Sequence, residues 1–194
     1  MNCRTLLAAL AAAIALGACS QKDPAGEAIT AAENALNAVY EEAAKYVPER
    51  YAEVKKDLET ARAAFKEERY ADAIAAVRDV PADAEALANE AAAAKEKRIA
   101  ELNADWARLS GTLPDLLAGI GGRLEELRKL RALPEGMDRQ LLDEANAALA
   151  SARAAWNEAG AARERGDLEA AVGKARDSEG MAQDLFGRLG MPAA

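Results

Sequence analysis

From Pro24 to Gly190 an apolar or small side chain recurs every three or four residues, and Glu, Lys, Arg, Asp and further alanines fill the positions between. That spacing puts one apolar stripe on one face of an α-helix and does not match the two-residue alternation of a strand. Ile29, Ala32, Leu36, Val39, Ala43 and Tyr46 make the first stripe, which predicts a helix from Pro24 to Val47. Asp23 reads as its N-cap with Pro24 at the first helical position, and Pro48 ends it, since the residue before proline avoids the helical region. Pro48 also opens a second helix through Tyr51, Val54, Leu58, Ala61 and Phe65. The phase breaks at "KEERYADAIAAV", restarts with Ile74 and Val77, and is interrupted again at Pro81. Ala84, Leu87, Ala91, Ile99, Leu102, Trp106 and Leu109 carry the pattern on to Ser110.

"SGTLPD", with Gly111 and Pro114, predicts a boundary there. The helix expected beyond it carries Leu113, Leu117, Ile120, Leu124, Leu127 and Leu130, with a break or a tight helix crossing at "GIGG". "LPEGMD" predicts the next turn, with Asp138 capping a helix through Leu142, Ala145, Leu149, Ala152, Trp156 and Ala159. Gly166 ends that helix, and Asp167 caps the last, which carries Leu168, Val172, Ala175, Ala182, Leu185 and Leu189 up to Gly190. The expected fold is an all-α, elongated antiparallel bundle of five to seven helices. Roughly a quarter of the chain is alanine, the best helix former, so each Leu, Ile or aromatic anchor matters more to the core than a count of apolar residues suggests.

The chain also aligns with itself. "LETARAAF" (58–65) falls on "LASARAAW" (149–156), and "RYADAIAAV" falls on "GDLEAAVGK" once six residues are inserted in the second copy. Two duplicated helical hairpins of unequal length would give this pattern. The expected division is a first helical unit at 24–110 and a second at 111–194.

Before the helices, Arg4 precedes an unbroken apolar run from Leu6 to Ala18. It is shorter than the about 20 residues a membrane span takes, and it has the length of a signal-peptide core. Leu16-Gly17-Ala18-Cys19 resembles the lipobox of bacterial lipoproteins; cleavage after Ala15 by ordinary signal processing is the alternative. The resemblance implies that residues 1–18 are removed, that Cys19 becomes the acylated N-terminus, and that residues 19–23 form a short tether. Several acyl chains on Cys19 hold a protein to a bilayer without a transmembrane helix. Ser20, where an aspartate would signal inner-membrane retention, implies the periplasmic face of the outer membrane.

Composition narrows the function. The formal net charge is −8, one unit more negative once Arg4 is removed, and this disfavours nucleic acid as a partner. The chain has no His, the commonest general base and metal ligand. Its two Cys are Cys3, in the leader, and Cys19. No catalytic residues, metal ligands or cofactor are expected, and the chain reads as a non-enzyme. Tyr40, Tyr46, Tyr51, Phe65 and Tyr70 lie around one predicted corner, where they fill the core or line a groove for a peptide, glycan or lipid. "GRLEELRKLR" (122–131) is the most basic stretch and reads as an amphipathic helix with its charges in water.

The run "AITAAENALNAVYEEAAKYVPERYAEVKKDLETARAAFKEERYADAIAAV" resembles an uncharacterised family of Ala-rich helical bacterial lipoprotein domains, sometimes found upstream of OmpA-like domains. The resemblance spans Ala28 to about Ala94 and brings no catalytic residues; no OmpA-like pattern follows here. Together these features imply a lipid-anchored envelope lipoprotein that acts as a structural or protein-binding scaffold, with an envelope protein as partner. The alternative is an accessory or carrier lipoprotein with a ligand groove between helices.

Overall fold

The computed structural model describes residues 21–191. Among the described residues there are six helices and no strand: α1 (Lys22–Tyr46), α2 (Pro48–Lys66), α3 (Tyr70–Val77), α4 (Val80–Lys129), α5 (Arg139–Glu164) and α6 (Leu168–Arg188). The protein is an all-α helical bundle. It divides into two compact units between Lys97 and Arg98, inside α4. Residues 1–18, expected to form a leader, and Cys19 lie outside the described residues.

In the first unit the predicted stripes are the core. Ala25, Ile29, Ala32, Leu36 and Ala43 of α1 meet Val54, Leu58, Ala61 and Ala64 of α2, Ala73 and Val77 of α3, and Val80 and Leu87 from the start of α4. α1 begins at Lys22 with Gln21 as an N-cap that makes no side-chain hydrogen bond, so Asp23 sits in the first turn rather than capping it. There its charge still complements the helix dipole. Pro48 sits at the head of α2 as expected. Arg78 and Asp79 bend the chain, and Pro81 is the second residue of α4, where its missing N–H costs nothing.

The second unit packs Leu113, Leu117, Ile120, Leu124 and Leu127 of α4 against Leu142, Ala145, Leu149 and Ala152 of α5 and Ala182 and Leu185 of α6, with Leu189 just beyond. A contiguous cluster joins Leu102 and Leu109 to Ala159, Val172 and Ala175. Where α5 and α6 meet, both faces are small: Ala152, Ala155, Ala159 and Ala162 against Ala171, Ala175, Ser178 and Ala182. Their Cα atoms approach within 8 Å along the hairpin, whereas α4, which offers leucines, stands farther off. Helix separation follows the size of the side chains at the contact. Ser178 is fully buried in this seam, and its hydroxyl donates to the Ala152 carbonyl at 2.7 Å.

Two expectations are corrected. The boundary at "SGTLPD" is absent, because α4 runs through Gly111 and Pro114 without a break. A proline inside a helix costs about 3 kcal/mol, but Leu113 and Leu117 on either side are almost fully buried, and each such leucine contributes about 1.5–3 kcal/mol. The apolar phase from Leu102 to Leu127 is also unbroken across the proline. The compact units accordingly divide at 97/98 rather than at 110/111.

The second correction concerns the internal alignment. In the α2–α3 turn Glu67, Glu68 and Arg69 donate backbone N–H groups to Ala63, Phe65 and Ala64; in the α5–α6 turn Arg165, Gly166 and Asp167 donate to Ala161, Arg163 and Ala162. The turns are equivalent, with Glu68 (φ 60°) opposite Gly166 (φ 81°). Matching them makes the second hairpin's first helix about seven residues longer, not six. Seven residues are close to two helical turns and keep the buried stripe in phase, whereas six would rotate it by about 120°.

Glu68 occupies a left-handed position that glycine takes without strain. Glu68→Gly is expected to stabilise the protein by about 0.5–1 kcal/mol and Gly166→Ala to destabilise it by about 1 kcal/mol. Thermal unfolding followed by circular dichroism should show shifts of opposite sign.

Candidate functional site

The five aromatic residues of the first unit do not share one groove. They separate along the α1–α2 hairpin. Near the α1–α2 corner Tyr40 and Tyr51 meet edge-to-face with centroids 5.6 Å apart, and Tyr40 is 53% exposed. Tyr46 has two ammonium groups near its ring, Lys45 at 5.1 Å and Lys95 at 6.0 Å from the centroid. Lys95 is held there by Glu42 at 2.9 Å, and that hydrogen bond raises its pKa. At the other end of the hairpin Phe65 and Tyr70 form a second edge-to-face pair at 5.3 Å. Tyr51, Phe65 and Tyr70 are half-buried against the core, and Tyr46 is half-buried.

Two open depressions flank the Phe65–Tyr70 pair. One, of about 670 Å³, runs along α1 past Lys22, Gly26, Thr30 and Asn34 to Phe65. The other, of about 250 Å³, is bounded by Gln21 and the α2–α3 turn residues Glu68, Arg69, Tyr70 and Asp72. Arg69 is tied on both sides, to Glu67 at 2.8 Å and to Asp72 at 2.7 Å.

The second unit holds groups that the sequence reading did not bring together. Trp106 of α4 and Trp156 of α5 stack at 5.5 Å with their planes 17° apart. α4 and α6 are joined by three ion pairs: Arg98–Glu169 at 3.5 Å, Asp105–Arg176, and Arg108–Glu179 with two hydrogen bonds at 2.6 and 3.1 Å. The partners advance together along both helices, so α4 and α6 run parallel. Glu144–Arg188 and Glu158–Lys174 advance in opposite directions, as an antiparallel α5–α6 hairpin requires. Arg98, Asp105 and Arg108 share the seven-and-three spacing of Glu169, Arg176 and Glu179, a signal that was open to sequence reasoning.

The basic stretch 122–131 forms the last turns of α4 up to Lys129 and the two residues beyond it, with Arg128 facing Asp143 of α5 at 3.4 Å. Arg139 closes that helix end by donating to the Arg128 carbonyl at 3.2 Å and to the Leu130 carbonyl at 2.7 Å. The "GIGG" segment neither breaks α4 nor marks a close approach of two helix backbones; Gly121 lies under the Arg153 side chain of α5. A Cβ on Gly121 would lie 2.7 Å from an Arg153 Nη, whereas one on Gly122 would meet nothing within 4 Å. Arg153, Arg128, Asn146 and Glu125 surround a polar cleft of about 290 Å³ at these glycines.

The carboxylates with displaced pKa values, Asp79, Glu158 and Glu179, all shift downward, and for each the first cause is a hydrogen bond from a cation: Arg78, Lys174 and Arg108 respectively. Such groups are held charged and suit ion pairing rather than proton donation at neutral pH. Among the described residues no group of three or more His, Cys, Asp or Glu is placed to hold a metal ion, and no helix is long and apolar enough to cross a membrane. No family model, curated protein or solved structure matches the chain.

The depressed pKa of Glu179 fixes a sign. Its stabilising contribution is present above the ordinary value near 4.5 and is lost as pH falls through the lower folded value. Glu179→Gln should cost less than about 1 kcal/mol at pH 7 and nothing once the carboxyl is protonated in both states; urea titrations at several pH values would read this. At these glycines, Gly122→Ala should stabilise α4 by about 1 kcal/mol. Gly121→Ala should gain less, because the Arg153 head must move aside, and melting temperatures of the two variants would show the difference.

Proposed function

We propose that this chain is a non-enzymatic lipoprotein of the bacterial envelope, acylated on Cys19 and serving as a structural or protein-binding scaffold on the periplasmic face of the outer membrane. The observation that carries the reading is Leu16-Gly17-Ala18-Cys19 at the end of an apolar leader core, followed within three residues by the first helix at Lys22. So short a tether sets the folded chain against the bilayer, and a span of two or three residues reaches on the order of 10 Å. The helical surface beyond is charged and laced with exposed ion pairs, which suits a module that presents a face to another protein. The resemblance of residues 28–94 to Ala-rich lipoprotein domains agrees with this.

The carrier reading draws on one feature, the open depression of about 670 Å³ beside Phe65. A carrier would bind its peptide, glycan or lipid there.

Metabolic labelling with a fatty acid should tag the protein, and Cys19→Ala should remove the label. Label persisting in Cys19→Ala would refute the anchor. Crosslinking in intact cells should capture one envelope protein; a co-purifying small molecule with no captured protein would favour the carrier.

A further inference from the structure

The lipid-anchor reading leaves open which face of the first unit meets the bilayer, and the geometry at Gln21 answers this. Gln21 bounds the same depression as Glu68, Arg69, Tyr70 and Asp72, and the next residue, Lys22, bounds the depression beside Phe65. The start of α1 and the α2–α3 turn are therefore one end of the unit. Cys19 is two residues from Gln21, a reach of about 7 Å. The opposite corner, at Val47 and Pro48, lies beyond the 25 residues of α1, a distance of about 37 Å along the helix.

We propose that the Phe65–Tyr70 end of the first unit is its lipid-facing surface, set against zwitterionic headgroups. The chemistry of this end fits that partner. Tyr70 joins an apolar ring to a phenol hydroxyl, the amphipathic combination that suits the headgroup level, and Phe65 beside it adds apolar area. Asp23, Glu27, Glu67, Glu68 and Asp72 outnumber Lys22, Lys66 and Arg69 here, and two of those acids already hold Arg69. An anionic surface would repel such an end, whereas headgroups that carry an ammonium offer its carboxylates a partner. Placement comes from the covalent anchor and needs no basic footprint. The Tyr40–Tyr51 pair, at the far corner, is then the aromatic surface open to soluble partners.

This inference rests on the anchor reading, and one experiment separates their failures. The full lipidated chain would be placed in phosphatidylcholine nanodiscs containing a nickel-chelating lipid, with a nitroxide on Glu68→Cys or, in a second sample, on Glu49→Cys. Both sites are exposed, so neither substitution disturbs the core. Nickel-induced relaxation should be at least threefold stronger at position 68 than at position 49. Equal relaxation at both sites, or stronger relaxation at 49, in protein whose mass shows acylated Cys19 would overturn the orientation alone. A mass without acyl chains would overturn the anchor and the orientation together.

Discussion

The seam between α5 and α6 is the closest contact in the second unit, and its closeness follows from alanine. Ala152, Ala155, Ala159 and Ala162 offer only methyl groups to Ala171, Ala175, Ser178 and Ala182, so the two backbones draw together. A methyl buries little area, and the hydrophobic term per residue is small. Close approach compensates through dispersion, which needs atoms in contact rather than large side chains. It also lets a serine occupy the seam, because its hydroxyl reaches a carbonyl of the facing helix. Leucines come mainly from α4, which stands farther off, and from the α5 and α6 positions that face it.

The first unit applies the same rule with a different allotment. Ala25, Ala32 and Ala43 alternate with Ile29 and Leu36 on α1, and Ala61 and Ala64 follow Val54 and Leu58 on α2. Tyr51, Phe65 and Tyr70 cover the flanks of this thin core without entering it fully. Their position explains why, with Tyr40, they form two pairs at the two ends of a hairpin instead of one pocket. Each pair closes a corner where the chain reverses, and a corner leaves more space than a methyl group can fill.

The charges have a different task. Nearly all the ion pairs are exposed, and pairs of that kind contribute little apiece. The ladder of Arg98–Glu169, Asp105–Arg176 and Arg108–Glu179 nevertheless records a parallel register between α4 and α6. Apolar stripes of Leu and Ala tolerate several registers. A ladder of opposite charges in step along both helices disfavours the slipped ones, because a shift of three or seven residues would bring like charges together.

Much of this was legible in the amino-acid order. The three-and-four spacing determined that the chain is helical, which face of each helix is buried, and where Asp138, Asp167, Gly166 and Gly190 start or stop a helix, because these depend on neighbours within a turn or two. Tertiary structure decided the rest. Pro114 reads locally as a break, yet burial of Leu113 and Leu117 holds α4 through it. The exact length difference between the two hairpins emerged only when their turns could be matched by hydrogen bonds. The separation of the five aromatics, the seat of Arg153 over Gly121 and the stacking of Trp106 on Trp156 are contacts between residues distant in sequence. Local periodicity states which side of a helix turns inward; it carries no information about which partner stands there or how near.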